Sequence, residues 1–152
     1  MIWQTWAKLV IKIAKKIRDD YEPDIIIPSM NGGLVPCAII ASKLKIKDIR
    51  PVSIGRRNRQ RSFLYPKDGN IGTVKNKKIL IMEDDSFTGL SLDFAKKNYI
   101  KKGAGEVRTA CVFKKRGIRN IDYFAKEVDK FPDYPWKKPY FGDRIIKYET
   151  HQ

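Results

Sequence analysis

The run Ile79-Leu80-Ile81-Met82 leads straight into Glu83-Asp84-Asp85-Ser86-Phe87-Thr88-Gly89-Leu90-Ser91, bringing carboxylates, hydroxyls and a glycine to one place. Four apolar residues without alternation suit a strand buried on both faces, as in parallel sheets covered by helices. The polar stretch behind them is then a strand-to-helix turn at the carboxyl edge, where open α/β sheets bind ligands. Carboxylates accept hydrogen bonds from sugar hydroxyls. Hydroxyls and unbonded N–H groups at a helix start hold a phosphate. The order of groups therefore fits a sugar phosphate.

The elements that must position these residues are legible around them. Asp24 to Pro28 reads as a short buried strand, Ser29-Met30-Asn31-Gly32-Gly33 as a glycine turn, and Leu34 to about Leu44 as an apolar helix. Ile2, Trp6, Leu9, Val10, Ile13 and Ile17 recur at helical spacing, which predicts an amphipathic helix over about 4–20. Further strands are predicted over 49–54, 78–82 and 106–113, and a helix over 90–102 ending at Gly103. Strands alternating with helices indicate a parallel sheet with right-handed crossovers. The fold class is α/β, a single-domain Rossmann-like parallel sheet flanked by helices. Residues 55–77 contain Gly55-Arg56-Arg57-Asn58-Arg59-Gln60-Arg61 and then Tyr65-Pro66-Lys67-Asp68-Gly69-Asn70, and are expected to form a long mobile loop. Four arginines in that loop suit anion capture, RNA contact or a solvated charge run.

A chain of 152 residues is the usual size of one domain, and 42% hydrophobic with 32% charged residues excludes a disordered class. No apolar run approaches the ~20 residues of a membrane span, and the first residues lack the pattern of a signal peptide, so a cytoplasmic location is expected. Cys37 and Cys111 stand far apart and His151 lies beside the C-terminus, so these residue types draw no zinc site; both cysteines read as buried and reduced. The net charge of +15, from 32 Lys and Arg against 17 Asp and Glu, attracts anions without choosing among nucleotides, pyrophosphate and nucleic acid. A Lys-rich, His-poor composition is also common in heat-adapted proteins.

Glu83-Asp84, three residues, then Thr88-Gly89-Leu90-Ser91 resembles the phosphoribosyl pyrophosphate (PRPP) signature of type I phosphoribosyltransferases, and in particular small purine phosphoribosyltransferases. Pairing Asp84 with Asp85 instead would leave two residues before Thr88, so the spacing selects Glu83-Asp84. The resemblance covers roughly residues 20–136 and implies a core over about 20–115 and a small C-terminal hood over about 120–152 joined by the N-terminal helix. It implies that Glu83 and Asp84 are the catalytic pair that holds the ribose hydroxyls. The stretch Asp85-Ser86-Phe87-Thr88-Gly89-Leu90-Ser91 would receive the 5′-phosphate. Met30, Asn31, Gly32 and Gly33 resemble a pyrophosphate loop, assisted by Arg56 and Arg57 from the basic loop. Lys115 in Phe113-Lys114-Lys115-Arg116 resembles the lysine set against the exocyclic oxygen of a 6-oxopurine, and Phe131, followed by Pro132 and Asp133, the aromatic residue that stacks on the base. The implied reaction joins a purine base to PRPP, giving the nucleoside 5′-monophosphate and pyrophosphate, with Mg²⁺ arriving on PRPP as the cofactor. A homodimer is the common assembly, with no membrane partner and nucleic acid possible but not expected.

Two departures stand inside this pattern. Asn31 occupies a position usually basic, and Phe87 a position usually held by an Asp that exchanges a proton with the base. A phenyl ring cannot exchange a proton. Asp85 and Ser86 also replace residues that are normally apolar. Either water or another carboxylate such as Asp85 or Asp133 moves the proton, or the base differs, or catalysis is weak. The rival functions are a PRPP- or nucleotide-binding regulator that contacts nucleic acid, and transfer to another base such as adenine.

Overall fold

The computed structural model describes residues 1–134 of the chain. Helix α1 (Trp3–Asp20) is followed by β1 (Ile25–Pro28), α2 (Leu34–Leu44), β2 (Ser53–Arg57), β3 (Gln60–Tyr65), β4 (Lys78–Ser86), α3 (Leu90–Lys101), β5 (Glu106–Lys115) and β6 (Tyr123–Val128). The main sheet has the order β1-β4-β5-β6, and each neighbouring pair is parallel. Such a sheet must be covered on both faces, and it is. On one face Trp6, Val10, Ile13 and Ile17 of α1 and Cys37 and Ile40 of α2 pack on Leu80, Met82, Ala110 and Val112. On the other, Leu92, Ala95 and Tyr99 of α3 pack on Ile79, Ile81, Val107 and Cys111. Of the stripe expected on α1, Trp6, Val10, Ile13 and Ile17 are buried and Leu9 is partly buried, while Ile2, just ahead of the helix, is 64% exposed. Among the described residues no helix is long and apolar enough to cross a membrane.

The first crossover defines where a ligand can sit. From β1 the chain runs through α2 to residues 49–52, which touch the outer side of β1 through two parallel bridges, Ile26 with Ile49 and Ser29 with Val52. It then returns to lay β4 on the other side of β1. The connections leave β1 and β4 in opposite directions, so their carboxyl ends open a crevice, the topological switch point of the sheet.

Three expectations are corrected. Of the strand expected over 49–54, residues 49–52 contribute only the two bridges. The strand proper begins at Ser53 and belongs to an antiparallel hairpin with β3. The long loop expected over 55–77 is that hairpin, turned at Asn58 and Arg59, both with positive φ, and followed by a 3₁₀ turn at Lys67–Gly69. Phe63 anchors it, with ring centroids 4.9 Å from Phe94 and 5.6 Å from Tyr99 of α3. Asp122-Tyr123-Phe124, read as part of a hood, leads into β6, the edge strand of the main sheet. The remainder of the expected hood, from Pro135 onward, lies outside the described residues.

Candidate active site

Two loops meet at the switch point, and backbone hydrogen bonds fix each of them. The first is 29–33, behind β1. Ser29 N–H donates to Met82 O at 2.9 Å, Met30 N–H to Val52 O at 2.7 Å and Gly33 N–H to Ser29 O at 2.9 Å, so the loop is pinned between β4 and the 49–52 segment. The Met30–Asn31 peptide is cis, and the Asn31 side chain is exposed.

The second is the end of β4 and its turn into α3. The strand continues four residues past Met82, so the carboxylates stand on the strand and not in the turn; Glu83 lies opposite Cys111 and Asp85 opposite Phe113. Successive strand residues face opposite ways. Asp84 thus lies against Gly32 of the first loop, while Glu83 meets the Ser29 hydroxyl and lies within electrostatic reach of Arg61 of the hairpin. The Asp84 carboxylate accepts the N–H of Asp85 at 2.8 Å. Burial, reinforced by the Asp84 and Asp85 charges, pushes the Glu83 carboxyl up to about 8, against the opposing pull of Arg61 and the Ser29 hydroxyl.

The turn is built for a close approach. Gly89 has φ +74°, so the backbone conformation favours glycine, and a Cβ there would also displace the Asn120 side chain 2.4 Å away. Thr88 Oγ1 accepts the Leu90 N–H at 3.3 Å and Gly89 O accepts the Asp93 N–H at 3.0 Å, which starts α3. The first-turn N–H groups of the helix open onto the crevice edge with the positive end of its dipole.

The structure selects among the basic residues. Arg56 and Arg57 lie exposed near the hairpin tip, with Arg56 opposite Arg61 in register. Arg61, on β3, is the one that reaches the motif: its Nη1 donates to Ser91 Oγ at 2.6 Å. Arg56, Arg59 and Arg61 with Leu90, Asp93, Phe94 and Lys97 line a cavity of about 360 Å³ beside the first turn of α3. A larger cavity of about 680 Å³, lined in part by Asp24 and Lys78, lies at the opposite, amino edge of the sheet.

Two consecutive lysines end β5. Lys115 is exposed, with its ammonium donating to Asp129 O. Lys114 is 5% exposed, lies beside Ser86 in register, donates to Ile118 O at 2.6 Å, pairs with Glu127 at 2.7 Å and sits 4.0 Å over the Phe124 ring. One of two consecutive strand residues must turn outward, and it is Lys115. Phe131 is partly buried against the α1 and α2 side of the core, with Pro132 half-buried and Asp133 exposed beside it. Its ring lies 4.1 Å from that of Phe87, centroid to centroid, tilted by 35°. The Arg61 contact was within reach of the sequence through the spacing of the arginine run, once the register was known. Among the described residues no cluster of three or more His, Cys, Asp or Glu side chains is placed to hold a metal ion.

Comparison with known proteins agrees with this geometry. The purine phosphoribosyltransferase of Pyrococcus horikoshii superposes with a TM-score of 0.79 and 26% identity, over 91% of this chain and 92% of that one. A hypothetical protein of Neisseria gonorrhoeae solved with bound ppGpp superposes at 0.76, with 18% identity over 91% and 88% of the two chains. The hypoxanthine phosphoribosyltransferase of Trypanosoma cruzi, solved with its product IMP, gives 0.68 and 19% over 81% and 73%. The last two show a shared fold. Residues 2–141, nearly the whole chain, match the phosphoribosyl transferase domain, and the protein belongs to that family.

Proposed function

We propose that the protein transfers the 5-phosphoribosyl group of PRPP to a purine base, a 6-oxopurine, releasing pyrophosphate and the nucleoside 5′-monophosphate. The observation that carries this reading is the meeting of two loops at the switch point: carboxylates at the end of β4, a phosphate-ready helix start behind them, and the pinned 29–33 loop opposite. Glu83 and Asp84 hold the ribose hydroxyls. Thr88 to Ser91, with Arg61 over the Ser91 hydroxyl, receive the 5′-phosphate. The 29–33 loop cradles pyrophosphate through its backbone, since Asn31 supplies no charge there, and the hairpin arginines raise the local anion concentration. The carbon to pyrophosphate bond breaks through a cationic sugar, so alignment of base and ribose and neutralisation of the leaving group provide the rate. Mg²⁺ suits this donor set as a hard cation brought in on the PRPP oxygens, where it offsets their charge; Glu83 and Asp84 offer hard oxygens nearby but no cage. Lys115, whose exposed ammonium donates to Asp129 O two residues before Phe131, is the lysine set for the exocyclic oxygen of the base, while the Lys114 ammonium is taken by Ile118 O and Glu127.

Steady, Mg²⁺-dependent formation of nucleotide from hypoxanthine, guanine or xanthine tests the reading in one panel. Failure of every base, together with PRPP binding and salt-sensitive binding of nucleic acid, would replace it with the non-catalytic regulator. The net charge of +15 is the observation that favours this second reading.

Glu83 links function to stability in a measurable way. A carboxyl raised to about 8 from its ordinary 4.5 binds a proton in the folded chain that the unfolded chain releases. Its contribution to stability is fully present below about 4.5 and is lost as the pH rises through about 8. Exchanging Glu83 for Gln removes this slope. The variant should melt above the wild type at alkaline pH, by about 1–3 kcal/mol after allowance for solvent screening, while losing PRPP affinity. Denaturation at pH 5 and pH 9 reads the difference; equal slopes for the two proteins would show that Glu83 is not held protonated.

A further inference from the structure

We propose that Phe87 and Phe131 are the two walls of a stacking slot and that the base enters between them, which makes Phe87 a base-contacting, specificity-determining residue. The inference rests on the PRPP-transfer reading and adds to it the residue that grips the second face of the base.

Phe87 is 66% exposed, an unusual position for a phenyl ring, and it lies outside both buried clusters. Its aromatic partner is Phe131, at 4.1 Å and 35°. Phe131 in turn is seated against the core that includes Phe113 and Tyr134, whose own rings lie 6.1 Å apart, so one wall is fixed and the other free. An exposed ring at the tip of a turn changes rotamer within nanoseconds, so opening the pair carries no refolding. In the closed pair each ring covers one face of the other. A flat heterocycle between them covers both faces at once, and stacking tolerates any base because every base presents a π-face.

Position makes this slot part of the site. Phe87 follows the β4 carboxylates directly and precedes Thr88, so its backbone is fixed by the same turn that would seat the 5′-phosphate. A base held beside it therefore lies next to the reacting sugar carbon. The walls carry no proton and no charge. Discrimination at this position falls on ring area, which favours a two-ring purine over a one-ring pyrimidine, and the exocyclic contacts must come from groups such as Lys115, which donates to Asp129 O two residues before Phe131.

The test is a set of three variants, Phe87→Ala, Phe87→Leu and Phe87→Tyr, each assayed for the KM of hypoxanthine and guanine and, separately, for the Kd of PRPP and of a purine nucleoside 5′-monophosphate. The slot requires Phe87→Ala to raise the base KM and the nucleotide Kd by about ten- to one hundredfold, Phe87→Leu to fall short of wild type although it is apolar, and Phe87→Tyr to stay near it. The PRPP Kd should move by less than the base KM, whereas a collapse of the turn would shift both alike. A base KM that falls in Phe87→Ala would make Phe87 a plug that competes with the base and would overturn the proposal, as would a Leu variant equal to wild type. If the wild type binds no PRPP, the transfer reading fails by itself; nucleotide affinities then still decide the slot.

Discussion

Exchanging Asp84 for Asn is expected to lower PRPP affinity by at least about a hundredfold, because a carboxylate that accepts from two neighbouring hydroxyls contributes ~1.5–3 kcal/mol per charge-assisted bond. The substitution keeps shape. The amide oxygen can still accept the Asp85 N–H that Asp84 Oδ1 accepts at 2.8 Å, so stability should change by less than about 1 kcal/mol. What is lost is the charge and one acceptor facing the crevice. Titration calorimetry with PRPP and Mg²⁺ reads the affinity, and thermal denaturation confirms the fold. Unchanged affinity would mean that the acidic pair is not Glu83-Asp84.

The second large effect belongs to the opposite loop. A Cβ on Gly33 would stand 2.2 Å from Met82 O, which holds the loop against β4, and 2.7 Å from Ser29 O, which closes the loop on Gly33 N–H. The first cannot retreat without moving the strand that carries the carboxylates, nor the second without opening the loop. Gly33→Ala should therefore cost about 1–3 kcal/mol of stability and displace the pyrophosphate cradle, and a misplacement of about 1 Å lowers the rate on the order of a hundredfold. The measurement is kcat/KM for PRPP beside the melting temperature. Full activity in a folded Gly33→Ala protein would remove this loop from the site.

The parts of the fold that the sequence revealed are those where local pattern and tertiary burial agree. The apolar run before Glu83 could only be a strand buried on both faces, and Thr88-Gly89 with the apolar spacing after it marked the start of α3. Two glycine turns behind two such strands were enough to place the crevice. The hairpin escaped because Arg56, Arg57, Arg59 and Arg61 mask its alternation, and its anchor, Phe63 against Phe94 and Tyr99, is a contact between distant residues. Its turn gives no standard signal either, since Arg59 takes a positive φ that sequence rules reserve for Gly, Asn or Asp. Strand β6 was hidden by Tyr123 and Phe124, whose aromatic character suits a hood as well as an edge strand. Which of Lys114 and Lys115 is buried depends on register, which one residue of slip inverts.

The closest test of the account is a titration of PRPP with Mg²⁺ into the protein at low salt and again at about 0.5 M, where exposed charges are screened within a few ångströms. A chain of net charge +15 attracts any polyanion at low salt, so binding there does not distinguish a cradle from a basic surface. If Glu83, Asp84 and Thr88 to Ser91 form the PRPP site, one saturable site should persist at high salt in the wild type and vanish in the Asp84→Asn protein. Binding that disappears with salt, or that survives the substitution, would contradict it.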